Sequence, residues 1–465
     1  MIRIPNPQSA RMRPFRTALA LLAIVAGAAA AQAPSDSAIL EIIKARVDAG
    51  RFAGVAVGVV AKDGKRRTVA YGPSAGVQPF DANAVFEIGS ISKTFTAAIL
   101  ADMVKKGEVS LDDPVAKFLP VGTVIPSKDG KQITLLDLAT QSSGLPRMPS
   151  NFAPKDPSNP YADYSVQQMY DFLKSYQLPR GVGEKYEYSN LGVGLLGHAL
   201  ALRAGKSYED LVIERVLRPL KMSDTRITLT ASMQKRLAPG HGPDGKPAAN
   251  WDLPTFAGAG ALRSTVNDML LFIRANADST SKPLGATLAM AHSARRAGPS
   301  PQMVLGLAWN RLKGPNGNTL VWHNGGTGGY RTFTGYSEAT GEGVVVLSNT
   351  ANSVDEIGMH LLDATFPLPP LPKVHTEISL PAETLERYVG TFNFSPAFAI
   401  VITREGAQLF AQATDQPRFP LFAEKADEFF LKVVDAQVTF AKDSAGVVTG
   451  LVLHQNGANM PARKK

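Results

Sequence analysis

Ser90-Ile91-Ser92-Lys93 sets a hydroxyl and an amine three residues apart. The run that follows, Ala97 to Lys106, has helical periodicity and stops at Gly107. Positions i and i+3 share a helix face, so the Lys93 amine can sit beside the Ser90 hydroxyl. Gly89 permits a sharp turn into the helix. Ser90 then falls at the helix N-terminus, where free N–H groups favour developing negative charge. A serine hydroxyl becomes a nucleophile only when a neighbouring base takes its proton. Lysine is such a base where a desolvated, cation-rich pocket lowers its pKa. The spacing alone also describes a serine cap and a surface lysine, so the chemistry depends on what accompanies it.

Two further stretches supply partners. Tyr188-Ser189-Asn190 lies just before a helical run. A tyrosine beside a lysine ammonium is expected to have a depressed pKa, and as phenolate it accepts and returns the serine proton. Asn190 can bond both Lys93 and a substrate amide carbonyl, although asparagine there is also a common helix cap. His323-Asn324-Gly325-Gly326-Thr327-Gly328-Gly329 closes a strand-like run. Gly325 and Gly326 would let an extended substrate lie along the strand edge by main-chain pairing. The Gly326 N–H, with that of Ser90, would form an oxyanion hole. His323 would steer a carboxylate or assist proton movement.

The elements that must position these groups follow from pattern. Ser37 to Arg51 reads as an amphipathic helix, and Phe52–Ala61 and Arg66–Tyr71 as a hairpin turning at Asp63-Gly64. Helices are expected at 133–140, capped by Thr134, and at 164–176, 190–204, 208–216 and 264–275. Strands are expected at 304–311, 319–323, 330–336 and 343–349. Strands at both ends and helices between them predict an α+β domain: an antiparallel sheet flanked by helices, with a helical subdomain inserted.

The three motifs occur once each in this order, and together they resemble the serine β-lactamase and penicillin-binding protein superfamily. The similarity is to its class C β-lactamase and D-alanyl-D-alanine carboxypeptidase branch (peptidase family S12-like). Phe86-Glu87-Ile88-Gly89-Ser90-Ile91-Ser92-Lys93-Thr94-Phe95-Thr96 is close to the class C nucleophile motif. Thr134 to Pro146 resembles the cleft-rim segment of the same branch, and Tyr188 to Gly197 matches its second motif. The resemblance implies a β-lactamase/transpeptidase-like fold and a serine hydrolase working through an acyl-enzyme. Ser90, Lys93 and Tyr188 would be catalytic; Asn190, His323, Gly325 and Gly326 would bind substrate. Class C enzymes carry Lys-Thr-Gly where this chain has His323-Asn324-Gly325; the histidine is similar to that of several D,D-peptidases and related esterases or amidases of the branch. The implied substrates are D-Ala peptides or β-lactams, with a carboxylesterase or a non-turnover penicillin-binding sensor as alternatives. The Asn324 replacement removes a hydroxyl that holds the substrate carboxylate in the family; Thr327 is a candidate to compensate. Arg147, in the rim loop, is read either as a carboxylate contact or as a plain surface arginine. No metal or organic cofactor is implied.

The chain has 465 residues, ordinary globular composition and a net charge of +9. Four of the cations, Arg3, Arg11, Arg13 and Arg16, precede the apolar run Thr17 to Gly27. That pattern is a secretory signal, with cleavage expected after Ala31 and the periplasm or the exterior as the address. The run is short for a membrane span, so no stable membrane anchor is expected. The absence of cysteine excludes disulfides, a thiol nucleophile and a lipoprotein anchor. No clustered basic helix or RNA-type aromatic motif points to nucleic acid. The hydrolase domain is expected over 37–366 and a proline-rich linker over 367–375. Beyond it, 376–465 reads as a small all-β module, a barrel or sandwich similar to those appended to exported members of the family.

Overall fold

The computed structural model describes residues 33–72, 80–371, 375–395, 398–414, 416–434, 436–455 and 458–465. The signal segment expected over residues 1–31 lies outside them. An eight-stranded antiparallel sheet forms the middle layer of the larger unit. Its order is Arg66–Tyr71, Val55–Val60, Gly343–Ser348, Arg331–Ser337, Thr319–Gly326, Asn310–Lys313, Met303–Leu305, Arg296–Ala297. Strands from the start of the chain thus pair with strands from near residue 345, as Val57 with Val346.

Both faces of this sheet are covered, which explains the uninterrupted apolar runs Val55–Val60 and Gly343–Ser348. Val55, Val57 and Val59 face a core closed by Ile39, Ile43, Ile357 and Leu361. The alternate residues Ala56 and Val60 join Val345 and Leu347 in the larger core on the other side. That core contains the helices Ser92–Lys105 and Val266–Ala277, with Phe95 stacked on Phe272 at 4.0 Å. Ser92–Lys105 is buried from Ser92 through Met103, so it is apolar on every side except where it meets polar partners.

Several expected boundaries are met closely. Asn190–Ala204 runs from an N-cap at Ser189, whose hydroxyl accepts the Gly192 N–H, to Gly205 in the left-handed region. Leu135–Ala139 begins with a capping box between Thr134 and Asp137. The strand expected over 304–311 is instead two strands, Met303–Leu305 and Asn310–Lys313. The chain between them is drawn off by two helical neighbours: Leu307 N–H donates to the Ala291 carbonyl and Ala308 N–H to the Ala139 carbonyl, with Ala308 at φ 54°. The C-terminal residues form a closed barrel of eight consecutive antiparallel strands from Gly390–Ser395 to Ala458–Lys464. Of the two expectations, barrel and sandwich, the barrel is the architecture. Closure pairs the first strand with the last, Phe392 with Lys464, and leaves no free edge. Its core holds Tyr388, Phe392, Phe429 and Phe440.

Candidate active site

Ser90 lies in a single 3₁₀ turn, Gly89–Ile91, that runs straight into the Ser92–Lys105 helix. Gly89 makes that turn at φ 50°. A Cβ there would lie 2.7 Å from the Gly326 nitrogen, so the missing side chain is what lets the Ser90 turn meet the strand end. Gly325 does the same one residue earlier: its Cβ would lie 2.0 Å from the Ile88 carbonyl oxygen. The Thr332 hydroxyl donates to that same oxygen at 3.0 Å. Gly325 is therefore a point of backbone approach against the Ser90 turn, and Gly326 is the exposed glycine of the pair.

Lys93 is fully buried, and its nitrogen has three neighbours. It lies 2.9 Å from Ser90 Oγ, 2.9 Å from Asn190 Oδ1 and 2.7 Å from the Ala259 carbonyl oxygen. Two of these are acceptors only, since the carbonyl and the amide oxygen cannot donate. A neutral amine has two N–H bonds and one lone pair. In that form, with both N–H bonds on Asn190 and Ala259, the lone pair faces the Ser90 hydroxyl; the ammonium form donates to Ser90 Oγ as well. Burial, aided by the Arg147 charge, holds the Lys93 pKa well below its ordinary value of 10.5.

Tyr188 is within hydrogen-bonding reach of the Ser90 hydroxyl. The Lys93 nitrogen lies 5.0 Å from the centre of its ring. Its ionisation differs from the sequence expectation. Burial pushes the Tyr188 phenol above its usual pKa of 10.0, outweighing the Ser90 hydrogen bond and the Arg147 charge. Burial is the larger influence on the ring, and the neighbouring charge that acts on it is that of Arg147 rather than Lys93.

The second motif is held by the rim loop. The Arg147 carbonyl accepts the Asn190 N–H at 3.0 Å and the Leu191 N–H at 3.4 Å, two of the donors that a helix start leaves unpaired. Ser189 Oγ donates to the Pro146 carbonyl at 2.6 Å. Gln141, at φ 57°, accepts the Ser189 N–H on its side-chain oxygen at 2.7 Å and the Glu187 N–H on its carbonyl at 2.7 Å. Neither Gln141 nor the Ala259 carbonyl is legible in the sequence as a site component. The small-residue run Ala257-Gly258-Ala259-Gly260 is the signal that marks close backbone approach there.

His323 is 4% exposed and lines a small pocket with Tyr188 and Asn310. Burial, then the Lys93 charge, pushes its pKa down to about 4, so at neutral pH it carries no charge. Strand alternation puts Asn324 on the other face, where its amide donates to Asp355 at 2.6 Å. The replaced hydroxyl of that position is thus substituted by a group that turns away from the cleft. Thr327, a candidate to compensate, is buried beside the Glu87 carboxylate.

The Beta-lactamase family profile matches residues 39–365. The chain belongs to the Beta-lactamase family. Residues 374–462 match a second profile, a domain of unknown function (DUF3471), which coincides with the barrel. Among relatives of the Beta-lactamase family, the D-alanyl-D-alanine-carboxypeptidase/endopeptidase AmpH of Escherichia coli is 33% identical over 220 residues. That match covers 46% of this chain and 56% of AmpH, so the chain spans little more than half the length of that relative. A β-lactamase of Escherichia coli is 28% identical over 374 residues, covering 72% of this chain and 94% of the relative. The class C β-lactamase of Rhodobacter sphaeroides superimposes with a TM-score of 0.57 at 25% identity, covering 68% of this chain and 93% of that one. These likenesses bear out the expected fold.

Proposed function

We propose that this chain is an exported serine hydrolase that acts through an acyl-enzyme on the amide bonds of D-Ala peptides or β-lactams. The observation that carries the reading is the Lys93 amine, buried and 2.9 Å from Ser90 Oγ, with two further oxygens, Asn190 Oδ1 and the Ala259 carbonyl, at 2.9 and 2.7 Å. In this reading the neutral Lys93 takes the Ser90 proton as Oγ attacks the carbonyl carbon. The Ser90 and Gly326 N–H groups hold the oxyanion. The proton passes to the leaving nitrogen through the Tyr188 phenol, which its raised pKa keeps protonated and able to donate. Asn190 orients the acyl amide. Water then attacks the acyl-enzyme, with Lys93 again as base, and releases the acid. Export rests on the arginine-rich, apolar N-terminal segment described above; among the described residues no helix is long and apolar enough to cross a membrane.

Ester hydrolysis is the second reading, favoured by the neutral His323 at the third motif. Release of D-alanine from an Nα-acyl-D-Ala-D-Ala peptide and opening of a chromogenic cephalosporin, each followed with wild type and Ser90→Ala, test the proposal. Activity of either kind that survives in Ser90→Ala refutes the mechanism. Ser90-dependent cleavage of p-nitrophenyl acetate alone moves the function to the esterase reading.

A further inference from the structure

D-Ala peptides and penicillins carry a free carboxylate on the leaving-group side of the bond that breaks. A cation placed there favours such substrates over their neutral counterparts. The third motif does not provide one: His323 is buried and uncharged at neutral pH, and Asn324 is turned to Asp355. Lys93 is buried and, in the reading above, neutral. The local acids are already engaged. Glu87 is paired with Arg263, Asp137 with Arg296 and Glu187 with Arg180.

Arg147 is different. Its guanidinium carbon lies 5.0 Å from the centre of the Tyr188 ring. Among the described residues it takes part in no ion pair and no side-chain hydrogen bond. Its main chain is fixed, because its carbonyl holds the first N–H groups of the Asn190–Ala204 helix. The residue is exposed, so a ligand can reach it. A guanidinium keeps its charge throughout the working pH range and meets a carboxylate through two parallel N–H bonds. An aromatic face beneath it holds its plane. The ring is that of Tyr188, the group assigned to protonate the leaving atom.

We propose that Arg147, held over the Tyr188 ring, binds the free carboxylate of the substrate's leaving group and so replaces the third motif as the carboxylate-recognising element. This rests on the acyl-enzyme reading. A second cation, Arg331, lies beside Gly326, and its Nη1 donates to the Thr327 carbonyl at 2.6 Å and to the Tyr330 carbonyl at 2.8 Å. Its head is therefore already oriented by main chain at the strand end, which makes it the comparison residue.

The test is a ratio. The kcat/KM for an Nα-acyl-D-Ala-D-Ala free acid is divided by that for its C-terminal amide, in wild type, Arg147→Ala, Arg147→Lys and Arg331→Ala. The wild-type ratio is expected to favour the acid. Arg147→Ala is expected to lower it ~10- to 100-fold, the range of a lost charge-assisted pair. Arg147→Lys is expected to restore part of it. An unchanged ratio in Arg147→Ala, or a collapse confined to Arg331→Ala, overturns the proposal. If wild type cleaves neither peptide but is acylated by penicillin, benzylpenicillin and its methyl ester give the same ratio, and the same two results support or overturn the proposal. A carboxybenzyl penicillin read against benzylpenicillin covers the other source. If Arg147→Ala changes only that preference, the carboxylate belongs to the acyl side and the assignment is wrong. Loss of Ser90-dependent p-nitrophenyl acetate cleavage in wild type would mark failure of the acyl-enzyme reading itself.

Discussion

Gly89→Ala tests how the oxyanion hole is built. The new Cβ would start 2.7 Å from the Gly326 nitrogen, 2.9 Å from its oxygen and 3.0 Å from its carbonyl carbon. All three are main-chain atoms, so no rotamer change relieves them. Ordinary contact begins at 3.4 Å, and the strand end or the Ser90 turn must retreat to reach it. The atom displaced is the proposed oxyanion donor. Such donors act at about 2.7–3.1 Å, and loss of one costs roughly 10²–10³ in rate, or about 2.7–4 kcal/mol. The φ of 50° adds roughly 1–2 kcal/mol of folding cost for any residue with a Cβ. Gly326→Ala is the control. The three nearest neighbours of its Cβ would be side-chain atoms of Arg331, at 3.0–3.2 Å, rather than main chain. The assay is the acylation rate with a chromogenic ester or cephalosporin beside a thermal melt. The prediction is a folded Gly89→Ala protein with acylation reduced about 10²–10³-fold and a much smaller effect in Gly326→Ala. A folded Gly89→Ala protein that acylates at the wild-type rate would refute the geometry.

Two pH predictions follow from burial. Acylation requires neutral Lys93, so its rate falls on the acid side with a midpoint well below the ordinary lysine value of 10.5; removing the Arg147 charge moves that limb to higher pH, and a limb that does not move in Arg147→Ala contradicts the electrostatics. His292 and His323 are both buried and held neutral, His292 by burial and then the Arg311 charge, with folded values of about 3 and about 4 against an ordinary 6.5. Below pH 6.5 the unfolded chain binds protons that the folded chain refuses, so their contribution to stability is present above 6.5 and lost as pH falls toward 4 and then 3. Each contributes up to about 1.4 kcal/mol per pH unit in that window, and a melting-temperature series in which His292→Gln keeps the wild-type slope would remove His292 from the account.

What sequence can reveal here is local. The Ser-x-x-Lys turn, the Asn190–Ala204 helix between its cap and Gly205, and the Thr134–Asp137 capping box all write their geometry into neighbouring residue types. The Asp355–Leu362 helix escapes such a reading because its N-cap, Val354, makes no side-chain bond that a sequence pattern would show. The barrel strands Arg418–Ala423 and Ala458–Lys464 escape it because Pro420 and Pro461 interrupt them, a residue that argues against strands inside a sheet. The Ala259 carbonyl is a backbone acceptor and is found only in three dimensions. The direction of the Tyr188 shift is hidden for a similar reason: proximity to a lysine is readable from motifs, but the burial that raises the phenol and lowers the amine is not.

Intact mass followed over time after mixing with benzylpenicillin tests the central claim most directly. Wild type is expected to gain one penicillin mass. Ser90→Ala is expected to gain none, and Lys93→Ala to gain it about 10²–10⁴-fold more slowly. An adduct on Ser90→Ala, or one formed at full rate on Lys93→Ala, would contradict the assignment of Ser90 as nucleophile and the buried Lys93 amine as its base.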